Sequence, residues 1–352
     1  MTTCRVTIPP RPITGLEFSP EEVRTAAREK RLLSLELEMT RTCNLRCPYC
    51  YAGAGQPMAD EMQFPEIMET VRQAADLGAR KIIILGGGEP CAYPRLRELI
   101  EHLSRLGLGV ELFTNCTLMS RDLATFLFDR RVSVVAKRNS LVPAVQDLLA
   151  GVPGAAKQIE EGLALLLAAG YPDADRGLGV QTVICRPNLA EIPDLWRWTR
   201  SLGAHPYFEP VTPKGRATRN PALGLWPQEL GAIFRKLSEI DRLEYGLQWR
   251  PHPPLAGASC TRHLYSLLVK ANGDFCPCVG IDVALGNIRR DRLADVVRRH
   301  PVIDDMRNIH ERVKGRCRSC RLSSECYGCR GNAFQLTGDY LAADPCCWID
   351  DH

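Results

Sequence analysis

Cys43, Cys47 and Cys50 stand in the segment TRTCNLRCPYCYAG with the spacing Cys-x3-Cys-x2-Cys. Thiolates at this spacing let one loop wrap a cubane iron-sulfur cluster and bind three of its four irons. A fourth thiolate would close such a site and suit it to electron transfer, whereas three leave one position open to a substrate. A zinc knuckle uses similar spacings and stays open as an alternative at this point. Sixteen cysteines in 352 residues is a high density. In a reducing compartment it points to metal rather than to a disulfide framework. Nine of them lie between Cys260 and Cys347, while Cys4, Cys91, Cys116 and Cys185 are scattered and read as small buried hydrophobes.

The elements that must position the first three thiols read as strands alternating with helices. Leu35, Leu37 and Met39 alternate with Glu36, Glu38 and Thr40, and short apolar runs follow: KIIIL from Lys81, VELF from Val110, VSVV from Val132, VQTVI from Val180 and YFEPV from Tyr207. Helical patterns separate them, starting at Phe64, Pro94 and Ala155, each ending near a Gly. Six βα units in series predict a parallel sheet with right-handed crossovers, curled into a partial barrel, with the chemistry at the C-terminal strand ends. The cysteine loop follows the first strand, and Gly86-Gly87-Gly88-Glu89-Pro90 follows the second. Glu209, inside an apolar strand, needs a partner or a ligand unless it points to water. Asn188 and Glu191 read either as site residues or as a cap for a helix starting at Ile192. Arg289, Arg290, Arg292, Arg298 and Arg299 read as solvated helix faces.

These motifs give the chain a resemblance to the radical SAM superfamily, whose signature Cys-x3-Cys-x-aromatic-Cys is matched with Tyr49 in the aromatic place. The resemblance implies a partial (β/α)6 barrel of the radical SAM type, an α/β fold, carrying a 4Fe-4S cluster that binds and reductively cleaves S-adenosylmethionine (SAM) to a 5′-deoxyadenosyl radical. It implies that Gly87, Gly88 and Glu89 receive the methionine amino group. Thr114-Asn115 resembles the family's Thr-Asn element, and Lys137, Asn139 and Ser140 fall where the ribose or carboxylate of SAM is usually held.

The C-terminal third resembles the SPASM extension of such enzymes, which holds two auxiliary 4Fe-4S clusters. The pattern runs from Cys260 through Gly273 and Cys278 to Cys317, Cys320, Cys326, Cys329 and the pair Cys346 and Cys347. It departs at Cys326-Tyr-Gly-Cys329, with two intervening residues where the common pattern has three. Carried over by position, Cys260, Cys278 and Cys329 would hold one cluster with Cys276 as fourth ligand. Cys317, Cys320, Cys326 and Cys347 would hold the other, leaving Cys346 spare. A zinc site in place of one cluster stays open, because tetrahedral thiolate sites share these spacings.

Length and composition frame the rest. The expected organisation is an N-terminal extension over 1–32, the barrel over 33–215, a helical linker over 216–255 and the cluster domain over 256–352. With 45 basic and 41 acidic residues the net charge is +4, which argues against a nucleic-acid binder. No run is apolar enough to span a membrane and the first residues lack a signal peptide, so a cytoplasmic protein is expected, served by an electron donor such as flavodoxin or ferredoxin. A ferredoxin-type carrier would account for the cysteines but not for the Gly-Gly-Glu segment, and a zinc-stapled binding module would not account for the three-ligand loop. About thirty residues precede the first strand, too few for a leader-peptide-binding domain, so the expected substrate is a small molecule, a sugar or nucleoside undergoing epimerisation, dehydrogenation or decarboxylation. Glu209, Lys137 and Arg186 are the candidates facing it, and a peptide or protein maturase is the alternative.

Overall fold

Six parallel strands follow one another in chain order: β1 (Ser34–Leu37), β2 (Lys81–Ile84), β3 (Gly109–Thr114), β4 (Ser133–Lys137), β5 (Leu178–Ile184) and β6 (His205–Pro210). The computed structural model describes residues 12, 13 and 17–349, so the reading of Cys4 and of most of the N-terminal extension lies outside the described residues. Eight helices lie between or beside the strands: α1 (Pro20–Arg28), α2 (Phe64–Asp76), α3 (Leu96–Arg105), α4 (Arg121–Asp129), α5 (Pro143–Ala150), α6 (Ala155–Ala169), α7 (Ile192–Ser201) and α8 (Pro227–Ile240). Their amphipathic stripes explain the layering. Phe64, Ile67, Val71 and Ala74 of α2 and Leu96, Leu99, Ile100 and Leu103 of α3 are buried against Leu35, Leu37, Ile82, Ile84, Val110 and Leu112 on one face of the sheet.

The opposite face lines the lumen. Ile83, Phe113, Val135 and Tyr207, from four different strands, pack into one cluster with Ile13 and Leu255, which requires the sheet to curl. A single guanidinium closes the curl: Arg262 Nη1 donates to Glu36 Oε1 of β1 at 2.6 Å and its Nη2 to the Tyr207 hydroxyl of β6 at 2.7 Å. At the lumen's floor Lys81 pairs with Glu111 at 3.1 Å and with Glu17. Polar residues thus stand inside otherwise apolar strands because the lumen, not bulk water, is their environment.

The C-terminal third joins the same sheet. β7 (Leu268–Val269) runs parallel to β1, and β8 (Asp274–Cys276) and β9 (Gly286–Asn287) continue antiparallel, giving the order β6-β5-β4-β3-β2-β1-β7-β8-β9. A second core knits α7, α8 and the C-terminus, with Trp196, Phe208, Phe234 and Trp348 in contact. Gly231 of α8 permits this approach, since a Cβ there would lie 2.6 Å from the Trp348 ring. Three of the basic residues stand ahead of the helix Leu293–Arg299 rather than on a helix face: Arg289, Arg290 and Arg292, of which Arg289 pairs with Glu66 of α2 at 2.6 Å. No helix among the described residues is long and apolar enough to cross a membrane.

Candidate active site

The loop carrying Cys43, Cys47 and Cys50 crosses the C-terminal end of the barrel. Its base is stitched by the Thr42–Gly55 bridge, and its flank by Arg46 Nη1 donating to the Cys43 carbonyl at 2.6 Å. The Gly-rich turn after β2 lies against it. Gly88 N–H donates to the Thr40 carbonyl at 2.7 Å and Glu89 N–H to the Thr42 carbonyl at 2.8 Å. A Cβ on Gly88 would stand 2.1 Å from the Thr42 oxygen, so only glycine allows the two segments to touch.

Glu89 is buried, and burial pushes its carboxyl above the ordinary range despite hydrogen bonds that favour the charged form. Its oxygens accept from the Thr114 hydroxyl at 2.7 Å, the Cys91 N–H at 3.0 Å and the Asn115 N–H at 2.7 Å, tying β2 to β3. Asn115 in turn donates from Nδ2 to Asn44 Oδ1 of the cysteine loop at 3.0 Å. Lys137, at the end of β4, holds its ammonium 5.1 Å above the Tyr49 ring, and desolvation keeps it below the usual lysine range.

The three cysteines, Tyr49, Gly87, Gly88, Glu89, Asn115, Lys137 and Glu209 line one cavity of about 1130 Å³, counting the space at its open mouth. Glu209 faces the lumen, not bulk water, and accepts from Gln181 Nε2 at 2.6 Å. A second cavity of about 610 Å³, walled by Cys260, Cys278 and Cys329, adjoins this one and shares Tyr207, Glu209, Thr212, Arg262 and Val279 with it.

Three expected site residues do not reach the cavity. Arg186 is turned outward in a bidentate pair with Glu229, Nη2 to Oε2 at 2.7 Å. Asn139 and Ser140 are fully buried and spent on bracing. Asn139 Nδ2 donates to the Tyr49 hydroxyl at 2.6 Å while its Oδ1 accepts from Val183 N–H at 2.9 Å, and Ser140 Oγ donates to Glu191 Oε1 at 2.6 Å. Asn188 and Glu191 serve this bracing too, holding the loop after β4; Glu191 occupies the N-cap position of α7, but its side chain makes no cap hydrogen bond there. Cys276 is likewise set apart. It is absent from the cysteine wall of the second cavity, and its charged neighbours are Lys270, Asp282, Lys214 and Asp274. Cys320, Cys326 and Cys347 flank one core, and Cys317 lies within electrostatic reach of Cys326 and Cys347.

The donor chemistry fits clusters. Burial pushes the Cys43 thiol to about 11, Cys278 and Cys326 to about 12 and Cys347 to about 11, so these groups hold protons until a metal replaces them. Buried polar atoms without partners surround the second cavity: His263 Nδ1, the Tyr327 hydroxyl, and Arg330 Nε and Nη2. Donors so placed match the sulfides and thiolates of a cluster. Among the described residues no three Cys, His, Asp or Glu side chains converge tightly enough for a single metal ion. A cubane distributes its thiolates over separate irons and asks for a wider spread.

Two family models match. The radical SAM superfamily model covers residues 37–198, and the SPASM iron-sulfur cluster-binding domain model covers residues 260–321. The chain belongs to the radical SAM superfamily. As a radical SAM enzyme with a SPASM domain it carries a SAM-binding 4Fe-4S cluster and auxiliary iron-sulfur clusters. This radical SAM enzyme is 27% identical over 350 residues to an AdoMet-dependent heme synthase of Methanosarcina barkeri (strain Fusaro / DSM 804), covering 88% of this chain and 94% of that protein. It is 29% identical over 344 residues to a PqqA peptide cyclase of Methylocella silvestris, covering 91% and 88%. Streptococcus suis SuiB, solved bound to its precursor peptide SuiA, has the same fold with a TM-score of 0.69 at 17% identity, covering 94% of this chain and 80% of that one.

Sequence reasoning missed Glu36, Arg262, Tyr207 and Gln181. A signal existed for Glu36, a carboxylate between leucines in the first strand; its partner Arg262 lies 226 residues away and carries no local mark.

Proposed function

We propose that this enzyme is a maturase that abstracts hydrogen from a carbon atom of a ribosomally made peptide or of a protein. The observation that carries the reading is the pair of adjoining cavities, one at the three-cysteine loop and one walled by Cys260, Cys278 and Cys329, which share Glu209 and Arg262 as wall. An extended chain fits such a pair, with one residue near SAM and the next toward the auxiliary thiols. The PqqA peptide cyclase relative and the peptide-bound SuiB support a peptide over the sugar or nucleoside first expected.

In this reading Cys43, Cys47 and Cys50 hold the SAM cluster, which when reduced supplies a 5′-deoxyadenosyl radical from bound SAM. Gly87 and Gly88 offer close backbone approach to the methionine end, while Tyr49, Asn115 and Lys137 flank it. Glu89 acts by fixing β3 and Asn115 rather than by projecting into solvent. Cys260, Cys278 and Cys329 hold one auxiliary cluster and Cys317, Cys320, Cys326 and Cys347 the other. Lys137 and Glu209 present a cation and an acceptor to substrate, and the enclosing walls exclude water from the radical. Electrons come from a flavodoxin or ferredoxin.

A second reading is favoured by the heme synthase relative, which is matched over 94% of its length. A tetrapyrrole bearing carboxylates would meet Lys137 and Arg262 in the first of these cavities. The reduced enzyme should be incubated anaerobically with SAM and a deuterated synthetic copy of a short peptide encoded beside the gene, and in parallel with deuterated porphyrins and sugars. Deuterium in 5′-deoxyadenosine from the peptide is expected, and transfer only from a porphyrin or a sugar would overturn the proposal.

A further inference from the structure

The connection leaving β6 grips both halves of the molecule within three residues. Lys214 Nζ donates to the Val279 carbonyl at 2.6 Å and pairs with Asp282 at 2.7 Å, on the hairpin that carries Cys278. Two residues on, Arg216 Nε donates to the Cys47 carbonyl at 2.8 Å and Nη1 to the Ala54 carbonyl at 2.6 Å, while its N–H donates to the Cys50 carbonyl at 2.9 Å. Gly215 between them has φ +61°, and a Cβ there would lie 2.3 Å from the Tyr51 oxygen and 2.5 Å from the Cys50 oxygen. No side chain fits that contact, so the connection lies directly on the cysteine loop.

The Lys214 end is anchored as well. Asp282 also pairs with Lys270 at 2.8 Å, and Gln335 Nε2 donates to the Gly280 carbonyl at 2.9 Å and to Asp282 at 3.2 Å. Gln335 belongs to the helix Arg330–Thr337, which starts directly after Cys329. A short path of hydrogen bonds and ion pairs, carried from Lys214 to Arg216 by the backbone, therefore runs from the auxiliary cysteine wall to the Cys47 carbonyl, which the guanidinium holds, and to the Cys50 carbonyl, which the Arg216 N–H holds.

We propose that Lys214 and Arg216 are positioning residues for SAM cleavage. Lys214 fixes the connection on the auxiliary hairpin, and Arg216 hands that placement to the loop of Cys47 and Cys50. Carbonyls drawn outward to a guanidinium turn their neighbouring N–H groups and thiols toward the barrel, and the fixed positive charge favours electron uptake at the loop. The inference rests on the assignment of Cys43, Cys47 and Cys50 to the SAM cluster, which the triple alanine variant tests separately; it is independent of which substrate is used.

The test uses the full-length enzyme with all clusters, and the variants Arg216→Gln, Arg216→Lys, Lys214→Met and Asp282→Asn. Read-outs are iron and sulfide content, the midpoint potential of the SAM cluster, the change in its EPR signal as SAM is titrated, and 5′-deoxyadenosine formation without substrate. Arg216→Gln should lower the potential, weaken the SAM-induced signal change and slow cleavage about tenfold to a hundredfold, the scale of a small displacement at a reacting centre. Arg216→Lys should recover part of this, because an ammonium reaches one carbonyl but not two. Lys214→Met and Asp282→Asn, with iron content unchanged, should shift the same SAM-cluster signal in the same direction. If Arg216→Gln fails to load the cluster, these two still decide. Wild-type potential, SAM titration and cleavage rate in Lys214→Met and Asp282→Asn would overturn the tie.

Discussion

Arg262 carries more than one duty at the scale of a residue. It satisfies Glu36 and Tyr207 across the lumen and stands where the two cavities meet, with only 15% of its side chain exposed. Removing one member of a buried ion pair leaves the other uncompensated, a cost of about 3–5 kcal/mol. Arg262→Met should therefore lower unfolding free energy by that order in urea titrations, and Arg262→Met combined with Glu36→Leu should recover much of it. Burial already raises the Glu36 carboxyl above its ordinary 4.5, and losing Arg262 removes the main opposing influence. A raised acid is stabilising while protonated, so the deficit of Arg262→Met should be smallest at pH below that ordinary value and grow as pH rises through the raised one. A deficit independent of pH would mean Glu36 is not the orphan. At the neighbouring site, replacing Cys43, Cys47 and Cys50 together by Ala should remove one cluster's iron and all 5′-deoxyadenosine while the C-terminal clusters persist. Retained cleavage would dismiss these thiols as ligands of the SAM cluster.

At the scale of elements, all six barrel strands were legible because parallel strands buried on both faces read as short apolar runs. α2, α3 and α6 were legible too, as periodic stripes closing near glycine. Less legible was the meaning of alternation in β1. Glu36 and Glu38 look solvent-facing by pattern, but both are almost completely buried, because their face of the sheet is a closed lumen. Loop residues were the least legible. Asn139, Ser140 and Arg186 all follow strand ends where site residues belong, yet other partners claim their side chains: Tyr49 and the Val183 N–H for Asn139, Glu191 for Ser140 and Glu229 for Arg186. Sequence distance hides such competition: Ser140 and Glu191 are 51 positions apart. The Gly-rich turn after β2 offers an element-scale test. Gly88→Ala would drive a methyl into the Thr42 carbonyl, so the turn and the cysteine loop must part. Iron content should drop by about one cluster and SAM binding by calorimetry should vanish, with the melting of the C-terminal third unaltered. Full loading of Gly88→Ala would show that the loop tolerates the separation.

On the scale of the whole molecule, pairing and hydrogen bonds cross the boundary expected near residue 256. β7 pairs with β1, Trp348 packs on α8, and Lys214 and Arg262 cross between the parts. Metal binding supplies much of the folding energy of small cluster domains. Cys317→Ala with Cys320→Ala should lower iron content and expose the segment from Arg316 onward to limited proteolysis, and through Trp348 should loosen α8 as well. Full iron with an unchanged digestion pattern would remove those thiols from the ligand set. The β1–β7 pairing also matters during synthesis. Glu36 N–H bonds to the Leu267 carbonyl and Glu38 N–H to the Val269 carbonyl, so one side of the first barrel strand has its partners some 230 residues downstream. At about 5–20 residues per second, a ribosome needs on the order of ten to fifty seconds to deliver them. Throughout that interval the nascent chain presents an unpaired strand edge, the feature that other chains most readily extend into aggregates. Yield of the native enzyme should accordingly depend on what shields that edge while translation continues, a demand set by connectivity and not by the final energy of the fold.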